Sequence, residues 1–266
     1  MLNWKGFICG IVTSATFGLI PLFTLPLMAA GMNVPSVLSY RFFISMLMMG
    51  AFLFVMRRSF RVTRREAAAL AGLSLLYTGS AVFLFWSYHY LASGIATTMM
   101  FLYPVFVALI MIVFFKEKNS FWTMSAIVLA VSGVAMLSWN GEAGGVSFTG
   151  ILLAGLSGLS YGIYIVSVNK SCVRDMASAK LTFYVFLFTG LFMLAGAYAM
   201  GDLQRIPTWR CDLNLTLLAL IPTVVSNLTL VAAIKSIGST FSAVLGAMEP
   251  VTAMTVGVWV FGEPFT

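Results

Sequence analysis

The chain has 266 residues, 61% of them hydrophobic and only 9% charged, with a formal net charge of +7 and a mean hydropathy of +1.00. Soluble domains carry roughly a quarter charged residues, so this composition excludes a water-soluble fold and leaves a polytopic protein whose main partner is the lipid bilayer. The cations lie in short stretches between apolar runs, which favours topology signals over nucleic-acid binding, and Cys9, Cys172 and Cys211 lack the spacing of a zinc site or a disulfide framework.

The opening stretch MLNWKGFICGIVTSATFGLIPLF sets Lys5 before an apolar run, as a signal peptide does. The run is too long for that role and no small-residue cleavage site follows it, so it reads as the first span. A hydrocarbon core of ~30 Å takes about 20 apolar residues as a helix. Nine stretches meet or approach that length: 7–29, 35–56, 67–91, 94–115, 121–138, 148–168, 181–200, 214–234 and 239–261. Backbone groups in lipid need internal partners, and these runs are continuous rather than alternating, so they are expected to be helices and not a β-barrel.

Cations in the connections set the orientation. With the N-terminus inside, the inner face holds Lys5, the five arginines of RRSFRVTRRE, Lys116, Lys118, Lys170, Arg174, Lys180 and Lys235, twelve in all, against Arg205 and Arg210 outside. Arg41 falls within the second span.

The two halves of the chain answer each other. GFICGIVTSATFG (Gly6 to Gly18) matches GILLAGLSGLSYG (Gly150 to Gly162), SYRFF lies opposite FYVFL, Ser80 opposite Ser226, and YPVFVALIMIVFFKE (Tyr103 to Glu117) opposite EPVTAMTVGVWVFGE (Glu249 to Glu263). The offsets are 144, 143, 146 and 146, and four matches in order argue for duplication. Five helices per unit, an odd number, place the second copy upside down, and inverted repeats are a recurrent way to build secondary transporters.

On these motifs the sequence resembles the drug/metabolite transporter superfamily in its EamA-like branch. The resemblance implies an all-α polytopic membrane protein of two inverted five-helix repeats, 1–140 (spans one to five) and 146–266 (spans six to nine). By the 146 offset Thr266 corresponds to Ser120, just before span five, so the tenth helix is expected to be missing and nine spans present.

Polar residues inside a membrane are costly and therefore candidate functional groups. Glu249 precedes Pro250 deep in the ninth span, and Tyr103 precedes Pro104 at the matching place in the fourth. A proline cannot donate to the carbonyl four residues back, so Pro104 and Pro250 are expected to break their helices at mid-depth, where transporters place their sites. Glu249 reads as a contact for a substrate amine, as a proton-coupling carboxylate, or as a packing partner. Arg41 reads as an anchor for a carboxylate or phosphate, or as a buried partner of another charge or an arginine snorkelling outward. Phe17, Trp86, Tyr161 and Tyr164, with Ser80, Ser226 and Asn227, are expected to line a cavity for amphipathic organic molecules. His89 is expected in an interfacial aromatic belt, and Glu117 and Glu263 at helix C-termini in structural roles.

No metal set, cofactor motif or enzyme signature is found. The expected function is secondary transport of a small organic solute by alternating access about a mid-membrane cavity. By resemblance the solute is a metabolite, amino acid or drug-like compound, the direction is export and the membrane is the cytoplasmic one. Protons as coupling ion and a homodimer are further expectations. The alternative is a non-transporting membrane scaffold or sensor that binds a small ligand, which the short loops disfavour.

Overall fold

The structure is a computed structural model that describes residues 4–87, 89–91, 96, 99–117, 125, 128–129, 132, 147–246 and 248–261. Every regular element among the described residues is a helix. The first span, expected to be unbroken over 7–29, is two pieces, α1 (Trp4–Phe17) and α2 (Ile20–Ala29). Pro21 is the second residue of α2 and has no N–H to give to the carbonyl of Phe17, so one helix cannot run through Gly18 and Leu19.

α3 (Val34–Val55) starts on an Asn33 cap, whose side chain accepts from the Ser36 amide at 3.0 Å. α4 (Arg64–Ser87) starts on a capping box: Thr63 Oγ1 accepts from the Glu66 amide at 3.2 Å, and the Glu66 carboxylate accepts from the Thr63 amide at 2.7 Å. The arginine-rich loop between them is tied down from the seventh span, where Lys180 donates to the Arg61 carbonyl and Tyr184 to that of Phe60. α5 is Tyr103–Phe115, α6 Phe148–Lys170 and α7 Ser178–Met200.

The eighth span holds α8 (Trp209–Ala219), a π-helical stretch over Leu220–Val225, and α9 (Ser226–Ile237). Pro222 again explains the irregularity. It cannot donate to the Leu218 carbonyl, which instead accepts the Thr223 hydroxyl at 2.7 Å. The ninth stretch is α10 (Ser239–Gly246) and α11 (Glu249–Phe261). Of the expected fifth span, 121–138, only Ser125, Val128, Leu129 and Ser132 are among the described residues, and Glu263 lies outside them.

Six described segments are long and apolar enough to cross a membrane: Trp4–Ala29, Val34–Val55, Arg64–Leu84, Phe148–Lys170, Ser178–Met200 and Trp209–Ile237. Their outer faces carry bare apolar rings, with Phe54 77% and Tyr198 81% exposed, which suits lipid and not water.

The packing is crossed between the halves. α1 lies along α9, and α6 along α4. The same offsets that align the halves relate these two pairs, down to single bonds. The Ser157 hydroxyl donates to the Ser80 carbonyl at 2.7 Å, and its counterpart, that of Thr13, donates to the Ser226 carbonyl at 3.3 Å. α3 packs on α7, its equivalent in the other half, and α5 packs on α10, a piece of the ninth span that corresponds to its own fourth span. Close approach needs small residues where apolar lipid offers helices no drive to associate. Gly6 illustrates it: an added Cβ would lie 2.6 Å from Ser236 Cβ and 2.7 Å from Ile237 Cγ2.

Gly6→Val is therefore expected to force α1 off α9 and destabilise the protein by about 1–3 kcal/mol. Gly72→Val, where a Cβ meets nothing within 4 Å, is expected to leave stability nearly unchanged. Thermal unfolding of the two variants in detergent checks the contrast.

Candidate functional site

The breaks in the helices meet at one place. Tyr103 and Pro104 open α5, and Glu249 and Pro250 open α11. Both prolines thus stand at the second position of a helix, where the missing N–H has no intrahelical acceptor to leave unsatisfied. The breaks fall just before them, at Phe101–Leu102 in the first half and after Gly246 in the second. They also touch each other, because the Tyr103 hydroxyl sits where a Cβ on Gly246 would be.

From Tyr103 a ladder of buried tyrosines leads inward. Its ring lies edge-on to Tyr161, with centroids 4.9 Å apart. Tyr161 stacks with Tyr164 at 5.9 Å and also meets Tyr77, at 6.1 Å, and Tyr77 meets Tyr164 at 5.2 Å. These positions follow from helix geometry. Tyr161 and Tyr164 are three apart on α6 and share a face. That face can approach α5 because Gly158 and Gly162 stand beside them: a Cβ on Gly158 would lie 3.1 Å from the Met100 carbonyl, and one on Gly162 3.2 Å from Phe106 Cβ. Phe17 is buried in the same core.

At the far end, Tyr77 leads to the π-helical stretch. Asn227 Nδ2 lies 3.5 Å from the Tyr77 hydroxyl and donates to the Thr223 carbonyl at 2.9 Å. Arg41 on α3 donates from Nε to Thr223 Oγ1 at 2.5 Å and from Nη2 to the Pro222 carbonyl at 3.2 Å. Arg41 is buried, at 7% exposure, and turned into the protein, so the snorkelling reading is set aside. Its described hydrogen bonds go to uncharged groups rather than to a carboxylate. Helix widening at Pro222 leaves its carbonyl without a helical donor in the usual register, and the guanidinium satisfies it.

Glu249, partly buried, opens α11 three residues past Gly246, the helix end that meets Tyr103. As the first residue of α11 its carboxylate also sits at the positive end of a helix. Arg41, Tyr103, Tyr161, Tyr164, Asn227 and Phe17 are thus brought into one buried region, and Glu249 stands at the helix start that adjoins it. Trp86 is not among them. It is 50% exposed and lines a shallow surface depression with His89, Tyr90 and Leu153. Ser80 and Ser226 serve helix packing, Ser80 with Ser157 and Ser226 with Thr16.

Sequence reasoning missed Tyr77 and Thr223. A signal was present: the two are related by the 146-residue offset, and Tyr77 stands in a polar run, YTGS, inside an apolar span. The π-helical stretch was missed because Pro222 alone does not distinguish a kink from a widening.

The sequence model of the EamA-like transporter family matches this chain twice, over residues 4–139 and 148–266. The chain belongs to the EamA-like transporter family. It is a multi-pass membrane transporter by that membership and by its apolar helices. No curated protein matches the sequence. Among solved structures, one crystal structure, 17% identical in sequence, matches with a TM-score of 0.79 over 98% of this chain and 90% of its own. At that identity the likeness shows the fold alone. The double match of the EamA-like family corresponds to the two halves whose counterpart residues bond at the crossed interfaces.

Gly246→Ala is expected to cost about 1–3 kcal/mol, because the added methyl must displace the Tyr103 ring. Combining it with Tyr103→Phe, which removes the obstructing hydroxyl, is expected to cost less than the sum of the two single changes. Unfolding midpoints for the four members of this cycle measure the coupling.

Proposed function

We propose that this protein is a secondary transporter that exports a small organic solute by alternating access, with the tyrosine cluster between Arg41 and Glu249 as the substrate's station. The observation that carries the reading is the meeting of two broken helices, at Tyr103 and at Glu249, beside a buried cluster of polar and aromatic side chains. Broken helices at matching places in two repeats are the device by which transporters expose backbone and charge to a solute inside the membrane.

The crossed packing supports the mechanism. Because α1 bonds to α9 through Thr13 and α6 to α4 through Ser157, each half grips the other in the same manner. Two halves joined by equivalent interfaces have two nearly equivalent ways to tilt, and each tilt opens the cluster to one side. In this reading the halves are inverted and the N-terminus is inside, an orientation supported by the excess of twelve cations over two. The membrane proposed is the cytoplasmic one. Export follows the expectation drawn from the family.

Counterflow in proteoliposomes tests the function: vesicles loaded with pooled unlabelled metabolites should accumulate the matching labelled solute, and empty vesicles should not. Binding of a solute without exchange would favour a scaffold or sensor instead. The orientation has its own check in a native cysteine. Cys172 is exposed in the connection after α6, whereas Cys211 is buried. A membrane-impermeant maleimide is expected to label Cys172 in inside-out vesicles and not in intact cells.

A further inference from the structure

We infer that the loop between α3 and α4 is a seat for an anionic phospholipid, with the phosphate held by its arginines and the acyl chains laid along the bare end of α3. The loop joins two helices long and apolar enough to cross a membrane, so it lies where hydrocarbon gives way to water. It carries Arg57, Arg58, Arg61, Arg64 and Arg65, all exposed, and Glu66 is the one acid of the stretch RRSFRVTRRE. That carboxylate is already taken by the Thr63 amide at 2.7 Å and the Thr63 hydroxyl at 2.9 Å. Among the described residues, none of the five guanidinium groups has a hydrogen bond or an ion pair.

The loop is shaped before any lipid arrives. Lys180 donates to the Arg61 carbonyl and Tyr184 to that of Phe60, and the Phe60 ring stands edge-on to Phe183 with centroids 5.4 Å apart. The backbone is thus held from α7 while the guanidinium groups stay exposed, and a preformed seat binds with little further ordering cost. Beside the cations, Phe54, Val55 and Met56 at the end of α3 are bare, as is Phe60. This apolar strip suits acyl chains and offers nothing to a small soluble anion. Clusters of about four to eight basic residues at the end of a membrane helix are a general mark of anionic head-group recognition.

Three of the arginines stand where the folded chain bears a cost for them. Arg57 follows α3 in the left-handed conformation, at φ 50°, which glycine adopts freely and other residues do not. The same turn ends α7, bond for bond, 144 residues further on. The Arg57 and Arg58 amides donate to the Phe54 and Leu53 carbonyls, and those of Gly201 and Asp202 donate to Tyr198 and Ala197. In that copy the left-handed residue is glycine, Gly201, at φ 70°. Arg64 and Arg65 open α4, at the positive end of its dipole, where cations are disfavoured. A phosphate placed there offsets both the side-chain charges and the dipole. Topology does not explain the choice of residue, because lysine serves it equally well. The other cations counted on that face are six lysines and one arginine, whereas the loop uses arginine five times out of five. A guanidinium, unlike an ammonium, can make two parallel bonds to one phosphate.

The test titrates short-chain phosphatidylglycerol, or phosphatidylcholine of equal chain length, into the protein in a neutral detergent and counts bound lipid by native mass spectrometry. Wild-type protein is expected to bind phosphatidylglycerol about tenfold more tightly, and Arg58→Gln or Arg61→Gln to weaken that binding about fivefold each, with phosphatidylcholine binding unchanged. Arg61→Lys is expected to recover part of the loss. Arg57→Gly is expected to weaken phosphatidylglycerol binding while raising the melting temperature, because the backbone strain leaves with the side chain. Arg210→Gln, outside the loop, is expected to change nothing. Melting curves in phosphatidylcholine check that each variant is folded. Equal affinity of the wild type for the two lipids, or equal losses in Arg61→Gln and Arg210→Gln, would overturn the inference. Glycerol phosphate, the head group without its chains, is expected to compete poorly. Competition by it at the same concentration as the lipid would overturn the lipid seat in favour of a soluble anion.

Discussion

In a hydrocarbon environment a backbone N–H or C=O that loses its helical partner finds no water to replace it. This constraint organises the molecule, because among the described residues the chain interrupts its helices at four places. Near Gly18, before Tyr103 and before Glu249, proline halts a helix. At Pro222 the helix widens instead. An interruption facing lipid would leave polar backbone bare, so interruptions belong against protein. Here they converge, and the Tyr103 ring meets the end of α10, while the Arg41 guanidinium meets the carbonyl of Pro222. The polar cluster at the centre is a consequence of satisfying broken backbone as much as a set of functional groups.

The same constraint explains why polar side chains here work so often on backbone carbonyls. Thr13, Ser14, Ser45, Ser74 and Ser157 each donate to a carbonyl of another helix, at 2.7 to 3.3 Å. Such bonds are individually modest in membranes, on the order of 0.6 kcal/mol. Their value lies in position. They fix the lateral register of helices whose apolar faces would otherwise pack equally well at several settings. The Thr13 and Ser157 bonds repeat in both halves, so the two crossed interfaces are fixed in the same way.

Symmetry and its violation divide the labour. The equivalences Thr13 with Ser157 and Ser80 with Ser226 preserve the crossed packing. The departures are Arg41 opposite Tyr184 and Glu249 opposite Tyr103. Tyr184 instead bonds the Phe60 carbonyl in the arginine-rich loop. The duplicated scaffold thus keeps its packing residues alike in both halves, while the polar residues at these two positions differ.

The sequence by itself determined the membrane environment, the helical class, the duplication and the family, because each rests on a quantity that accumulates along the chain: hydropathy, charge placement and a steady offset. It also pointed to helix breaks near Pro104 and Pro250, since a proline's missing N–H acts locally. Only the tertiary structure decided which polar residues share a site. Trp86 and Tyr77 both lie in the third span, nine residues apart, yet one faces outward and the other stands at the centre. A span apolar on every side carries almost no amphipathic signal to say which face is buried. The division of the first span at Gly18 and the widening at Pro222 were equally hidden, because whether a proline ends, bends or widens a helix depends on the neighbour that takes up the freed carbonyl. Here Thr223 takes up the freed carbonyl of Leu218 and is held in turn by Arg41, 182 residues away in the chain, and contacts at that distance are set by packing alone.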